Sequence, residues 1–369
     1  MKVLHVAEVI KGGVSSVMNE LLLSQIKNDN IERVRCLIPD SQRDELSIGD
    51  SHIYTFKRNG RNLLSFICFV WMFIRTVIKE KPTIIHLHST FAGLFGRAVL
   101  ILLPFYKGRV IYCPHAFSFM MAKSKWKLNL FALVERFLSK FTDAIICVSN
   151  YEKEIAIVNG IPKEKLFTIY NGVSEVEYTD QLPKSDSFNI LYVGRFDYQK
   201  GFDRLENIIN GLNYSSSNIK FTIIGDYVSE SIDKNRKNLD NANFTGWLSK
   251  NKIYSYYHNA DLLIIPSRWE GLAMVPLEAF SCKLPVIASS CTSFPEIIKD
   301  RYNGFLVDMD NTEVVIQLLN EISADKNIDF LESLASNAYA TYVEKFSSTK
   351  MNEDVFNLYR MSKLSADLN

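Results

Sequence analysis

Two glutamates, Glu270 and Glu278, flank a short apolar run in RWEGLAMVPLEAF, residues 268–280. The stretch follows ADLLIIPS, which reads as a buried strand, so a loop comes next and then a helix starting near Ala273 with Pro276 in its first turn. The first N–H groups of a helix lack intrahelical partners, so the amides of Gly271, Leu272, Ala273 and Met274 can bind a phosphate. Carboxylates repel that phosphate and need another partner. Sugar hydroxyls supply one, because a single carboxylate accepts from two vicinal hydroxyls, as the acidic residue of dinucleotide folds does on ribose. The pair suggests a ligand with phosphate in the middle and a hydroxyl-rich ring at each end, Glu270 facing one and Glu278 the other. The plain alternative is a charged helix start favoured by the helix dipole.

A second group lies in NILYVGRFDYQKGFDRL. A strand ends at Gly194, Arg195 and Lys200 occupy the following loop, and Gly201 precedes a helix. Arg grips phosphate oxygens in a fork and Lys adds a compact charge. The other reading is a surface loop with two solvated cations. Gly12 and Gly13 follow the first strand-like run and would let the backbone approach a ligand closely, a weak signal by itself. His115 stands at a strand end in CPHAF, where a lone histidine is structural more often than catalytic. His86 and His88 alternate along one face of IIHLHS without an acidic or cysteine partner at matching spacing, and read as strand-end packing rather than metal ligands.

These loops need a scaffold that gathers strand ends. Short apolar, β-branched runs alternate with helical patterns through most of the 369 residues, which implies βαβ units and parallel sheets. KVLHVAEV precedes a helix whose Val14, Val17, Met18, Leu21 and Leu22 recur at helical spacing, with Ser15 and Ser16 polar between them; PTIIHLHS, GRVIYCPH and DAIICVSN are further strands. A polar break follows at 175–187, and then a second series: FNILYVG, IKFTIIGD, ANFTG, ADLLIIPS, LPVIAS and GFLVD. The chain therefore reads as two doubly wound α/β domains, each binding ligand at the carboxyl ends of its strands. The expected divisions are 1–175, a linker at 176–187, 188–345, and a C-terminal helical strap over 346–369.

The composition bounds the function. Net charge is +1, which gives no support for nucleic-acid binding. The six cysteines (Cys36, Cys68, Cys113, Cys147, Cys282, Cys291) have no zinc or redox spacing, and Cys113 and Cys147 read as small buried hydrophobes in a reducing compartment. The N-terminus reads as a strand, not a signal peptide, and LLSFICFVWMFIRTVI falls short of a membrane span. Residues 120–141 carry Lys123, Lys125, Lys127, Arg136 and Lys140, with Trp126, Leu130, Leu133, Val134 and Phe137 between them at helical spacing. That pattern suits either an anionic membrane surface or a core helix with a solvated basic edge.

Taken together, these residues resemble the retaining glycosyltransferases of family 4, which have the GT-B fold. The most specific part is Glu270 to Glu278, seven residues between, inside PSRWEGLAMVPLEAFSCKLPVIAS; VGRFDYQKGFDRL resembles the family's Arg and Lys loop, and KGG, PHAF, CVSN and YNGV match weaker signatures in order. The resemblance implies that Arg195 and Lys200 hold the donor diphosphate, Glu270 the transferred sugar and Glu278 the ribose. It implies phosphate contacts from Gly271 to Met274, a closing loop at Gly12 and Gly13, a sugar site lined by His115, and donor contacts at Gly194, Gly246 and Trp247. It further implies a metal-independent enzyme without cofactor and a nucleotide-sugar donor, with UDP first. The acceptor would be a saccharide, often polyprenyl-linked, on the N-terminal domain. Such an enzyme works in O-antigen or capsule synthesis in the cytoplasm, peripheral to the inner face of the membrane. Ala273 stands where glycine is frequent, Lys283 where CG is usual, and SSCTSFPEII lacks the common Gly-Gly before Pro295–Glu296. Competing readings are a nucleotide-sugar 2-epimerase of the same fold and a non-catalytic sugar-nucleotide binding protein. A redox dinucleotide enzyme is disfavoured, because no Gly-x-Gly-x-x-Gly follows a strand.

Overall fold

A computed structural model of the chain describes residues 1–103, 105–120, 124–176, 187–212, 218–227, 239, 241–324 and 328–361. The chain forms two compact units, Met1–Gly172 joined by the segment from Ser348 onward, and Val173–Ser347.

The first unit is built on a parallel sheet of seven strands, β1 (Lys2–Ala7), β2 (Arg33–Pro39), β3 (Ile53–Phe56), β4 (Ile84–His88), β5 (Arg109–Cys113), β6 (Ala144–Cys147) and β7 (Leu166–Thr168). Its crossover helices are α1 (Gly13–Ile26), α2 (Leu63–Glu80), α3 (Thr90–Ile101), α4 (Lys125–Ser139) and α5 (Asn150–Val158). The strand order β3-β2-β1-β4-β5-β6-β7 reverses between β1 and β4, which opens a crevice at their carboxyl ends. The central strands are buried on both faces, which is why they read as continuous apolar runs. Helix α1 buries Val17, Met18, Leu21 and Leu22. Ser15 is buried with them, its hydroxyl donating to the Gly12 carbonyl at 2.8 Å, whereas Val14 is only half-buried.

The second unit repeats the plan with β8 (Phe188–Val193), β9 (Ile219–Ile224), β10 (Ala242–Gly246), β11 (Leu262–Ile265), β12 (Val286–Ser289) and β13 (Gly304–Val307). Its helices are α6 (Phe202–Leu212), α7 (Lys250–Asn259), α8 (Met274–Ser281), α9 (Phe294–Ile297), α10 (Thr312–Ser323) and α11 (Ile328–Thr341). The order β10-β9-β8-β11-β12-β13 is again all parallel and reverses between β8 and β11. Both units are thus Rossmann-like, and the expected doubly wound class holds.

Of the expected linker, 177–186 lie outside the described residues. The helical pattern of the C-terminal stretch is interrupted at Ser347, whose ψ of 147° leaves the helical region, so the helix expected over 346–369 starts at Ser348. Helix α11 belongs to the second unit, and α12 (Ser348–Arg360) to the first, where it packs against α1; residues 362–369 lie outside the described residues. Among the described residues, no helix is long and apolar enough to cross a membrane. All six cysteines are free, with Cys113 and Cys147 buried as small apolar side chains.

Candidate active site

The second unit brings Arg195, Lys200 and Glu270 to its switch point. Arg195 and Lys200 lie in the loop after β8, and Glu270 in the loop after β11, the two strands between which the sheet order reverses. Lys200 Nζ and Glu270 Oε1 form an ion pair at 2.6 Å, the lysine side chain 21% and the glutamate 9% exposed. Arg195 is the more open of the two cations; it donates to Gln199 Oε1 at 3.0 Å and pairs with Asp197 at 3.2 Å. Asp197 also accepts the Lys200 amide at 2.8 Å, folding the loop on itself. The site is therefore charge-balanced, not the purely cationic cradle that Arg195 and Lys200 alone suggested.

Two glycines set the spacing of these loops. Gly201 has φ +66°, and a Cβ there would stand 2.0 Å from the Pro266 carbonyl oxygen, so the β8 loop and the end of β11 touch backbone to backbone. Gly225, at φ +141°, meets the Gly194 carbonyl in the same way, at 1.8 Å. No L side chain fits either place without moving a neighbour's backbone. Gln199 fastens the loops further: its carbonyl accepts the Arg268 amide at 2.8 Å and its side-chain amide donates to the Trp269 carbonyl at 3.2 Å. Arg268 forks onto both Asp203 carboxylate oxygens at 2.7 and 2.6 Å, holding that carboxyl below its usual range, and lies 3.8 Å from the Tyr198 ring centre.

Helix α8 starts at Met274 with Ala273 at its N-cap and no capping side chain. Ala273 has φ −68° and ψ 134°, ordinary extended backbone, so alanine in place of glycine costs no conformational strain here. Glu278 lies one turn into α8 and accepts the Tyr257 hydroxyl at 3.0 Å; burial, and then this carboxylate, push the phenol's pKa well up. Gly246, at φ +73° with open space where a Cβ would go, ends β10, and Trp247 beside it is exposed. The two other departures fall where the backbone is left-handed. Lys283 has φ +59° and Thr292 φ +48°, conformations that favour glycine. Thr292 uses its position: its hydroxyl oxygen accepts the Glu270 amide at 3.3 Å.

Gly12, Gly13 and His115 stand on the first unit. Gly12, at φ +74°, is the residue before α1 and occupies a conformation suited to glycine. His115 follows β5 with φ +54°, and Ala116 with φ +106°; a strained pair of this kind at a strand end is typical of functional loops. Glu152 of α5 accepts the amides of Ala116 and Phe117 at 3.0 and 3.1 Å and holds the turn. His115 Nε2 lies 3.0 Å from His88 Nδ1. His86 and His88 are thus not simple packing: both enter hydrogen bonds, and so does His5 of β1, which periodicity alone showed only as another strand residue.

Residues 11–176 match the family described as Glycosyltransferase Family 4, and residues 175–341 the family described as glycosyl transferases group 1. A 41.2 kDa uncharacterised protein in the cps region of Klebsiella pneumoniae is 38% identical over 87% of this chain and 89% of its own length. The chain belongs to the family 4 glycosyltransferases. This glycosyltransferase is also 29% identical, over 76% of each chain, to the Escherichia coli UDP-Gal:alpha-D-GlcNAc-diphosphoundecaprenol alpha-1,3-galactosyltransferase. Other relatives of the enzyme act in O-antigen and capsular polysaccharide synthesis, and it stands among them. Its GT-B fold is that of Anabaena Alr3699/HepE in complex with UDP, with a TM-score of 0.77 at 18% identity over 97% of this chain and 99% of that one. Family membership sets aside the epimerase reading.

Proposed function

We propose that the enzyme transfers a hexose or N-acetylhexosamine, with retention, from a UDP-sugar to a lipid-linked saccharide in surface polysaccharide synthesis. The observation that carries this reading is the Lys200–Glu270 pair at 2.6 Å, beside an uncapped helix start at a sheet switch point. A diphosphate arriving there competes with Glu270 for Lys200. The exchange frees the Glu270 carboxylate to accept from hydroxyls of the donor sugar, while Lys200 turns to the phosphate. Arg195, held by Gln199 and Asp197 and still open to solvent, adds a fork for a second phosphate oxygen. As the glycosidic bond breaks, negative charge grows on the leaving diphosphate, and these cations with the first amides of α8 stabilise it; each such group contributes about 2.7–4 kcal/mol in comparable sites. Glu278 would meet the ribose, with Gly194, Gly246 and Trp247 bordering the nucleotide. His115 would meet the sugar, and Gly12 and Gly13 the diphosphate. On this reading no metal ion is needed, since Arg195 and Lys200 carry the charge.

The UDP assignment is supported by relatives that use or bind uridine nucleotides, and the lipid-linked acceptor by the diphosphoundecaprenol substrate of the galactosyltransferase relative. Membrane association is supported by α4, whose Trp126, Leu130, Leu133 and Phe137 are exposed while Ala132, Glu135, Leu138 and Ser139 face inward. That arrangement argues against a core helix with a basic edge; Lys123 lies outside the described residues. Helix α2 likewise exposes Leu63, Leu64, Ile67 and Trp71. Apolar and aromatic side chains beside lysines suit an anionic interface.

The test measures transfer from a panel of nucleotide sugars with Arg195→Ala and Lys200→Ala made separately. Near-wild-type turnover in both rejects the diphosphate assignment. Co-sedimentation with phosphatidylglycerol vesicles tests the surface. Binding should fall in Trp126→Ala/Phe137→Ala, and absence of binding by the unaltered protein removes that part.

A further inference from the structure

Four histidines of the first unit lie around β1, β4 and the end of β5, and three of them join end to end. His5 Nε2 is 2.9 Å from Gln25 Oε1, His5 Nδ1 is 2.9 Å from His88 Nε2, and His88 Nδ1 is 3.0 Å from His115 Nε2. His5 and His88 are fully buried and His115 partly so. Among the described residues, no carboxylate is hydrogen-bonded to these rings. Each neutral imidazole owns one N–H, and each contact needs one, so the tautomers are not independent. The Gln25 carbonyl oxygen can only accept, so His5 carries its proton on Nε2. His5 Nδ1 is then bare and accepts from His88 Nε2–H, and His88 Nδ1 accepts in turn from His115 Nε2–H.

We propose that Gln25, His5 and His88 are positioning residues that hold His115 as the Nε2–H tautomer, leaving its Nδ1 lone pair as the acceptor the enzyme offers at the end of β5. The amide presents its Oε1 to His5, and beyond these rings the Tyr359 hydroxyl of α12 lies 2.7 Å from His86 Nδ1. The arrangement is not a proton relay, because an amide oxygen cannot hand a proton onward. Burial supports the neutral state, pushing His5 and His115 down to about 4. Nor is it best read as a metal site, although ligand nitrogens of His5, His86 and His88 lie within 4.8 Å of one another. Two nitrogens on one tetrahedral zinc stand about 3.3 Å apart, whereas His5 Nδ1 and His88 Nε2 are at 2.9 Å, the distance of a shared proton.

The use of that lone pair on a donor-sugar hydroxyl rests on the reading above; the tautomer itself does not. The experiment is nitrogen-15 NMR of the histidine side chains in the full-length protein at neutral pH. His5, His88 and His115 are each expected as one tautomer, Nε2 protonated and Nδ1 bare. Gln25→Leu, which removes the acceptor that polarises the chain, should lose the single-tautomer signature of His115. Gln25→Glu, which can only accept, should keep it. A proton on His115 Nδ1 in the unaltered protein overturns the proposal, and so does a His115 signature unchanged in Gln25→Leu. Added zinc that shifts the His5, His86 and His88 signals together also overturns it, in favour of a metal site. Should Gln25→Leu fail to fold, the spectrum of the unaltered protein still decides. Addition of UDP-sugars that leaves the His115 signals unmoved rejects the sugar contact and leaves the tautomer assignment standing.

Discussion

Lys200 and Glu270 are each other's ion partner, so removing one leaves the other unmatched in a largely desolvated place. Lys200→Ala and Glu270→Ala should each lower kcat/KM by about 10²–10³, and the double variant should lose far less than the product of the two. Lys200→Arg should not restore activity, because a planar guanidinium does not replace a compact ammonium at 2.6 Å from one carboxylate oxygen. Lys283 offers a different test. It follows α8 in a left-handed conformation, its amide bonded to the Phe280 carbonyl at 3.1 Å. Glycine there should raise stability by about 0.5–1 kcal/mol in urea unfolding, set against a lost contact of its ammonium with the Tyr339 ring. At this scale the sequence was half legible. Arg195, Lys200, Glu270 and Glu278 stood out because a strand followed by a loop and a helix start marks a ligand position. That Lys200 grips Glu270, seventy residues on, is a fact of strand order, and no spacing reports it. His5 was missed because a histidine inside an apolar strand has no local mark of its partners.

The elements β1 and β4 carry a pH dependence. Their histidines, with His115, are neutral in the folded protein: burial holds His5 and His115 down to about 4, and His86 and His88 well below the ordinary range. In the unfolded chain each titrates near 6.5, as imidazole ordinarily does. Below that pH the unfolded state binds protons that the folded state does not, so stability falls as pH drops from about 6.5 towards 4. Each such histidine contributes a slope of up to about 1.4 kcal/mol per pH unit. Denaturant midpoints measured from pH 7.5 to 5 should decline accordingly, and His86→Phe should flatten the decline if the folded protein tolerates it. A midpoint constant over that range contradicts the buried neutral assignment. The strands themselves were legible as apolar, β-branched runs, and so were their parallel pairing and the reversal they imply. The buried face of α4 was not, because Glu135 lies inside it, paired with the fully buried Arg97 at 2.8 Å, while tryptophan and leucine lie outside. An apolar stripe usually marks the core, and here it marks the surface.

Across the whole molecule, the chain runs through the first unit, leaves it after Gly172, completes the second, and re-enters the first at Ser348. The second unit's two ends lie side by side: the Val173 amide donates to the Phe346 carbonyl at 3.0 Å, and the Tyr342 hydroxyl to the Val173 carbonyl at 3.0 Å. Residues 173–347 expressed alone should therefore fold cooperatively, with their own core around Ile190, Ile208, Phe221 and Leu319. Residues 1–172 alone should be less stable than the same segment mixed with a peptide of 348–361, as read by melting temperature, because Met351, Val355, Leu358 and Tyr359 are buried in the intact first unit. The two-domain plan could be read from the sequence because the strand series restarts after a polar break. The return of α12 could be read only as helical pattern without a strand.

That return has a consequence for how the protein is made. A ribosome finishes the sheet of the first unit early, yet Tyr359, whose hydroxyl meets His86, is translated only after the entire second unit. Throughout synthesis of roughly half the chain, His86 waits without its hydrogen-bond partner, and the first unit without the buried Met351, Val355 and Leu358. The nascent first half can be compact before its interior is full, and the side chains that fill it follow only after the second unit.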